Sequence, residues 1–359
     1  MTTLPIRPDL VGKSAYGAPQ LEVPIKLNTN ENPFEHDRKF ATDVASDLGI
    51  VMTNANRYPD RDAIKLREKL AQYMSEAAGV LISAEQVWPA NGSNEVLMQL
   101  FQLFGGPDRI ALGFEPSYSM HPIISQLTNT SWISIDRDED FKISNVDQVG
   151  DGTPVNLILV CTPNNPTGNL TSLEIIKELH DSTSAMVIVD EAYAEFSDAP
   201  SAVTLIQACP RLAVVRTMSK AFGFAGVRLG YVVGSTELIA ALQLVRLPYH
   251  LSSLTQQAAI SALATANSLR SRVELLIAER NHIAESLAEM GFTVVDSDAN
   301  FILFGKFQNQ GQVWEYLLNK GILVRDVGIP GWLRVTCGTP TENSAFLAAM
   351  AEFKDSKSD

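Results

Sequence analysis

The segment "RTMSKAFGFAGVRLGY", residues 216–231, sets Lys220 among small, apolar and glycine residues, with Arg228 eight positions further on. A charge in such surroundings calls for a partner or a covalent use. An amine at a strand end, desolvated by Phe222 and its small neighbours, is a candidate Schiff-base nucleophile. A lone lysine after a strand is ordinarily a solvated surface group. Here, however, Thr217, Ser219 and Arg228 accompany it, and two hydroxyls with a guanidinium are suitable donors to a phosphate dianion. An aldehyde that carries a phosphate would use all four groups.

Four other stretches bear on this chemistry. "WPANGSNEVLMQLFQLF" (88–104) passes from a glycine turn through Ser93 and Asn94 into an apolar-periodic helix. Free N–H groups at such a start hold an anion, or the turn is a common helix cap. Asp190 ends the apolar run of "VIVDEAYAEF", is expected to be buried, and so needs a cationic partner. That partner is an arginine on one reading and a pyridinium nitrogen on the other. Tyr193, three residues on, is near enough to offer a phenol to a ring oxygen. "TPNNPTG" (162–168) is a loop fixed by two prolines and a glycine, with Asn165 presenting an oriented amide. In "FEPSYSMHP", Tyr118 follows a strand and either packs in the core or lies against a flat cofactor. A lysine, a ring-nitrogen acid, ring-oxygen donors, a stacking ring and a phosphate cup together describe a pyridoxal-phosphate site.

These residues must be positioned by strands. "RIALGFEPSY" (109–118), "NLILVCTPNNPTG" (156–168), "AMVIVDEAY" (185–193) and "RLAVVRTMSK" (211–220) are apolar runs that end in polar or glycine-rich turns. Helical patterns such as "TSLEIIKELHDS" (171–182) lie between them, which predicts an α/β unit with a mainly parallel sheet. Ligands gather at the carboxyl ends of such strands, where all four runs carry their polar residues. Helical spacing from about Thr255 to Met290, stopped by Gly291, predicts one long helix leading into a smaller α/β unit. There "FTVVDSDANFILFG", "ILVRDVG" and "WLRVTCG" interleave with the helix "QVWEYLLNKG" and a last helix from about Glu342. The expected division is an N-terminal arm over 1–30, a large cofactor-binding domain over 31–254 and a small domain over 255–359.

The chain has 359 residues, of which 45% are hydrophobic and 19% charged, enough to fill the core of a globular enzyme. Its net charge of −13 argues against a nucleic-acid partner, so any anionic ligand must be held by local cations and dipoles. Cys161, Cys209 and Cys337 form no CxxC pair and read as reduced structural thiols. The histidines show no metal-ligand spacing, and no metal is assigned. No signal-peptide core or membrane-length apolar run is present, so the expected location is the cytoplasm.

The sequence resembles the fold-type-I pyridoxal-phosphate aminotransferases and, among them, the histidinol-phosphate aminotransferase family. The likeness runs nearly end to end through "LNTNENP" (27–33), "NRYPD" (56–60), "NGSNE" (91–95), "PSYSMH" (116–121), "TPNNPTG", "VDEAYAEF", the lysine segment, "ANFILF" (299–304), "GILVRD" (321–326) and "LRVTCGT" (333–339). It implies Lys220 as internal aldimine and proton shuttle, Asp190 on the ring nitrogen, Asn165 and Tyr193 on the phenolic oxygen, and Tyr118 on the ring face. Ser93, Asn94, Thr217, Ser219 and Arg228 would hold the phosphate. Tyr58 would reach the cofactor phosphate of the neighbouring subunit, which implies a homodimer. Tyr16, Asn30, Tyr249, Arg325 and Arg334 would bind substrate, Arg334 gripping a carboxylate and Arg325 with Tyr16 lying near the substrate's own phosphate.

The reaction so implied is ping-pong transamination in histidine biosynthesis, from histidinol phosphate and 2-oxoglutarate to imidazole-acetol phosphate and glutamate. His121 and the "LPYH" stretch with Tyr249 and His250 depart from the family pattern and are expected to border the substrate pocket. An aromatic amino-acid aminotransferase would share nearly every motif, and a phosphothreonine decarboxylase would share the scaffold. A cofactor-binding sensor of a transcription regulator would need a DNA-binding domain, and no basic helix-turn-helix pattern precedes the first motifs.

Overall fold

The computed structural model describes residues 4–15, 17–149 and 154–358, so Tyr16 lies outside the described residues. The apolar runs form strands β1 (Ile25–Lys26), β2 (Val87–Ala90), β3 (Ile110–Glu115), β4 (Ser131–Asp136), β5 (Leu157–Cys161), β6 (Met186–Asp190), β7 (Leu212–Thr217) and β8 (Gly230–Gly234). All but β1 join one sheet in the order β2-β8-β7-β6-β5-β3-β4. Its β4-β3-β5-β6-β7 portion is parallel, and β8 runs against both of its neighbours.

Strands β5 to β8 are buried at every residue because both faces are covered. Alternation along the strand sends Leu157, Leu159, Ile188 and Val215 against Val96, Leu97, Leu100 and Phe101 of the helix Ser93–Phe104. Ile158, Val160, Val187, Val189 and Val214 meet the opposite layer, which includes Ile176 and Leu179 of the helix Leu173–Ser182 and Leu66 and Leu70 of the helix Ile64–Ala78. The mainly parallel sheet sandwiched by helices is as expected.

A second sheet follows. Strands β9 (Thr293–Val294), β10 (Phe301–Gly305), β11 (Ile322–Leu323), β12 (Arg325–Asp326) and β13 (Trp332–Thr336) come next in the chain. The antiparallel order is β12-β13-β10-β9, while β11 pairs in parallel with β1 and so fastens the N-terminal segment. Further out, Arg7 donates to the carbonyls of Gln126 and Leu127 at the C-terminal end of the helix Met120–Leu127, where a cation also suits the dipole.

Two helix expectations need correction. The run from 255 to 290 is two helices, Ser253–Leu263 and Ala266–Glu289. Thr265 Oγ1 donates to the carbonyl of Ala262 at 3.1 Å, and a hydroxyl that takes backbone acceptors in this way competes with helix continuation. The expected stop holds: Gly291 sits at φ 83° and its N–H bonds the carbonyl of Ala288. The last helix begins at Pro340, not Glu342, since proline suits a first turn and Glu342 reaches back to the N–H of Thr339 at 2.8 Å.

Candidate active site

The carboxyl ends of β2, β3, β5, β6 and β7 meet the start of β8 at one edge of the large sheet. Register places Gly230 opposite both Ala90 and Thr217, and Asp190 opposite Cys161. A cavity of about 630 Å³ opens there. Its wall brings together Asn30, Ser93, Asn94, Tyr118, Asn165, Asp190, Tyr193, Thr217, Ser219, Lys220, Arg228, Arg325 and Arg334, all singled out in the sequence.

Part of the cavity wall is built for an anion. Gly92 precedes the helix Ser93–Phe104 at φ 88°, and a Cβ there would stand 2.6 Å from Arg228 Nη2. The guanidinium thus approaches the turn that presents the helix N-terminus, its Nη2 nearest. Gly230 is equally constrained, since its Cβ would fall 2.2 Å from the backbone nitrogen of Ser93. Arg228 Nη1 donates to the carbonyl of Ala225 at 3.1 Å and reaches Ser219 Oγ at 3.5 Å. Thr217 Oγ1 donates to the same Ser219 oxygen at 3.0 Å. Hydroxyls, a guanidinium and a helix dipole converge on one small volume, the donor set a phosphate dianion takes.

Asp190, on the wall of the same cavity, is 2% exposed. One of its oxygens accepts from the N–H of Ala192 at 3.2 Å and the other lies 3.4 Å from His121 Nε2. No ion pair among the described residues joins Asp190 to an arginine or lysine. The nearby buried arginine, Arg216, is instead shared by Glu191 and Glu195 at 2.7 and 2.9 Å. Of the two cationic partners the sequence left open for Asp190, the arginine is therefore absent.

Tyr193 Oη accepts from both Asn30 Nδ2 at 3.0 Å and Asn165 Nδ2 at 3.2 Å, which leaves its own proton to give. Burial pushes this phenol well up, so that proton stays in place. Asn165 is oriented in turn by Arg334 Nη1, which donates to its Oδ1 at 2.5 Å. Lys220 lines the same cavity, part-buried, with Nζ donating to the carbonyl of Thr29 at 3.2 Å. Burial, then the charge of Arg334 and of Arg228, lowers its amine to about 8, against opposite pulls from Glu31 and Asp190. Burial also pushes the Cys161 thiol up, so it forms an inert wall.

The second sheet supplies the remaining cations. Arg325 on β12 and Arg334 on β13 are register partners, so their side chains share one sheet face. Arg334 is 7% exposed and also donates to the carbonyl of Asn28 at 2.9 Å. The Arg325 guanidinium has no hydrogen-bond or ion-pair partner among the described residues. Two like charges side by side, one of them unengaged, call for an anion between them.

Other expectations differ. His121 does not border the substrate pocket; it is buried behind Asp190 and meets Tyr118 edge-on. His250 is stacked on Trp88 and bonded to the carbonyl of Pro89, also off the cavity wall. Tyr58 and Tyr249 stack on each other at 4.5 Å, are 80% and 42% exposed, and lie outside this chain's cavity. The sequence reading passed over His121 as a partner of Asp190, although its spacing of three from Tyr118 puts both at one helix start. It also passed over Glu31, which lines the cavity within the quoted "LNTNENP".

The family model of the class I and II aminotransferases matches residues 22–350. A histidinol-phosphate aminotransferase from Mycobacterium marinum is 53% identical over 97% of this chain and 92% of its own length. One from Corynebacterium diphtheriae is 51% identical over 98% of this chain and 97% of its own. In fold, the chain matches the histidinol-phosphate aminotransferase of Sinorhizobium meliloti, solved in complex with pyridoxal-5'-phosphate. The TM-score is 0.80 at 21% identity, covering 93% of this chain and 92% of that one. By near full-length identity above one half to such relatives, this chain belongs to the histidinol-phosphate aminotransferase family of the class I and II aminotransferases.

Proposed function

We propose that this chain is a pyridoxal-phosphate-dependent transaminase that moves the amino group of histidinol phosphate to 2-oxoglutarate, a step of histidine biosynthesis. The products are imidazole-acetol phosphate and glutamate. The observation that carries the choice of substrate is the unengaged Arg325 beside Arg334. The cofactor's own phosphate has its cup at Ser93, Asn94, Thr217, Ser219 and Arg228, so a further arginine pair implies a further anionic group.

The residues present fit the cofactor. Asp190 is a buried carboxylate with no arginine or lysine partner, and the anion cup lines the same cavity. When bound, pyridoxal phosphate supplies a pyridine ring that withdraws electrons from the substrate carbon. Asp190 would hold the positive charge of the ring nitrogen, and Tyr193 Oη and Asn165 would hold the phenolic oxygen. Tyr118 would flank the ring face. Lys220 Nζ would hold the aldehyde carbon by condensation with loss of water and, once freed by the substrate amine, would move the proton from the substrate carbon. Arg325 and Arg334 would orient the substrate by its anionic end, and Asn30 would hold Tyr193 in place. Both substrates use this one site in turn.

Tyr58 and Tyr249, exposed and outside this chain's cavity, are proposed to act at the site of a second copy in a homodimer. The arm over 1–30, the large domain over 31–254 and the small domain over 255–359 remain our proposed division, and the cytoplasm our proposed location. Among the described residues no helix is long and apolar enough to cross a membrane. An aromatic amino-acid transaminase is the competing reading, and Arg325 separates the two. Arg325→Ala is expected to raise KM for histidinol phosphate by about 10- to 100-fold, the loss of a charge-assisted contact. Its KM for phenylalanine is expected to move far less, and equal effects in steady-state assays would remove the assignment.

A further inference from the structure

We propose that Glu31 recognises the imidazole ring of the substrate, an assignment that rests on the reading of histidinol phosphate given above. Three carboxylates line the cavity: Glu31, Asp190 and Asp326. Asp190 accepts from the N–H of Ala192, lies 3.4 Å from His121 Nε2, and is the group proposed above for the ring nitrogen. Asp326 accepts from the N–H of Gly328 at 2.9 Å and follows Arg325 on β12, beside the arginine pair. Glu31 alone has no hydrogen-bond or ion-pair partner among the described residues.

Its placement is nevertheless fixed on both sides. The carbonyl of Thr29 receives Lys220 Nζ. Asn30, 1% exposed and at φ 55°, is tied to Tyr193, Thr336 and Asn300 through its side chain and backbone. Asn32 Nδ2 donates to the carbonyl of Ala221 at 3.2 Å. A pinned backbone thus presents one exposed, uncommitted carboxylate on the wall of the cavity that holds the reacting amine, and its charge is felt there, opposing the downward shift at Lys220.

With the phosphate at Arg325 and Arg334, the substrate's other polar feature is a flat ring bearing an N–H. That N–H is a donor in neutral imidazole, and the ring carries a full positive charge below about pH 6.5. A carboxylate suits both forms. A phenyl ring offers it nothing and would leave it desolvated and unpaired, which is the basis of rejection by a site built to accept a hydrogen bond.

The substrate's ammonium group is the other cation Glu31 could face, and it is common to every amino donor. The test therefore compares two donors on the holoenzyme carrying Glu31→Gln, with the bound cofactor's absorbance as the check on folding. Half-reaction kinetics with histidinol phosphate are expected to show kcat/KM lowered by about 10- to 100-fold, mainly through KM. Glutamate, which has the ammonium but no imidazole, is expected to keep its KM or lower it, since a repelling charge is removed. Equal losses for both donors, or no loss with histidinol phosphate, would overturn the assignment while leaving the substrate reading intact. Wild-type enzyme without turnover of histidinol phosphate would overturn that reading, and the Glu31 assignment with it.

Discussion

Replacing Lys220 by alanine is expected to lower transamination by at least about 10³-fold, the combined loss of a covalent nucleophile and a positioned acid–base group. The same change is expected to abolish covalent capture: borohydride treatment followed by mass spectrometry should find cofactor mass on the wild-type chain and none on the variant. The surroundings of Lys220 give this result a pH signature. Burial and the charges of Arg334 and Arg228 lower the amine to about 8. The free base is the attacking form, so at pH 7.5 about a quarter of the chains carry it, against about one in a thousand for an ordinary lysine. Capture by cofactor-free protein should therefore quicken as pH rises through about 8 and level off above it. A rate still climbing steeply towards pH 10 would mean that the cavity does not perturb the amine.

Asp190→Asn is expected to cost about 10²- to 10³-fold in kcat, the scale of removing one partner from a buried charge pair. The substitution keeps the shape and the contact with the Ala192 N–H but removes the negative charge, so the ring nitrogen loses its counter-ion. Retention of cofactor should suffer less, because the anion cup at Ser93, Ser219 and Arg228 is built from other side chains and stays intact. Stopped-flow half-reactions, with cofactor content measured on the same samples, separate these effects. A variant within about fivefold of wild type would show that Asp190 serves the fold alone, far below the expected loss.

The strand ends were legible in the sequence because each buried parallel strand is a short apolar run closed by polar residues, and parallel strands deliver those residues to one edge. Gly92 and Gly230 were visible as glycines, but that one seats Arg228 and the other the Ser93 amide depends on β2 and β8 pairing across more than 100 residues. The break at Thr265 escaped notice because apolar spacing alone does not register a hydroxyl that bonds its own backbone. His121 read as a pocket residue because sequence shows its neighbour Tyr118 and not Asp190, 69 positions away. Likewise, the side-by-side placement of Arg325 and Arg334 comes from a register between β12 and β13 that neither segment announces alone.

The central claim is that a site with a cofactor-phosphate cup and a separate arginine pair serves a phosphorylated amine. Its most direct test is a side-by-side determination of kcat/KM for histidinol phosphate and for phenylalanine, with 2-oxoglutarate as acceptor and the same wild-type preparation. The expected result is a preference for histidinol phosphate of at least about 10²-fold, since phenylalanine offers the arginine pair a carboxylate in place of a phosphate and gives Glu31 no ring N–H, leaving a group built for one unpaired. Equal values, or a preference for phenylalanine, would contradict it.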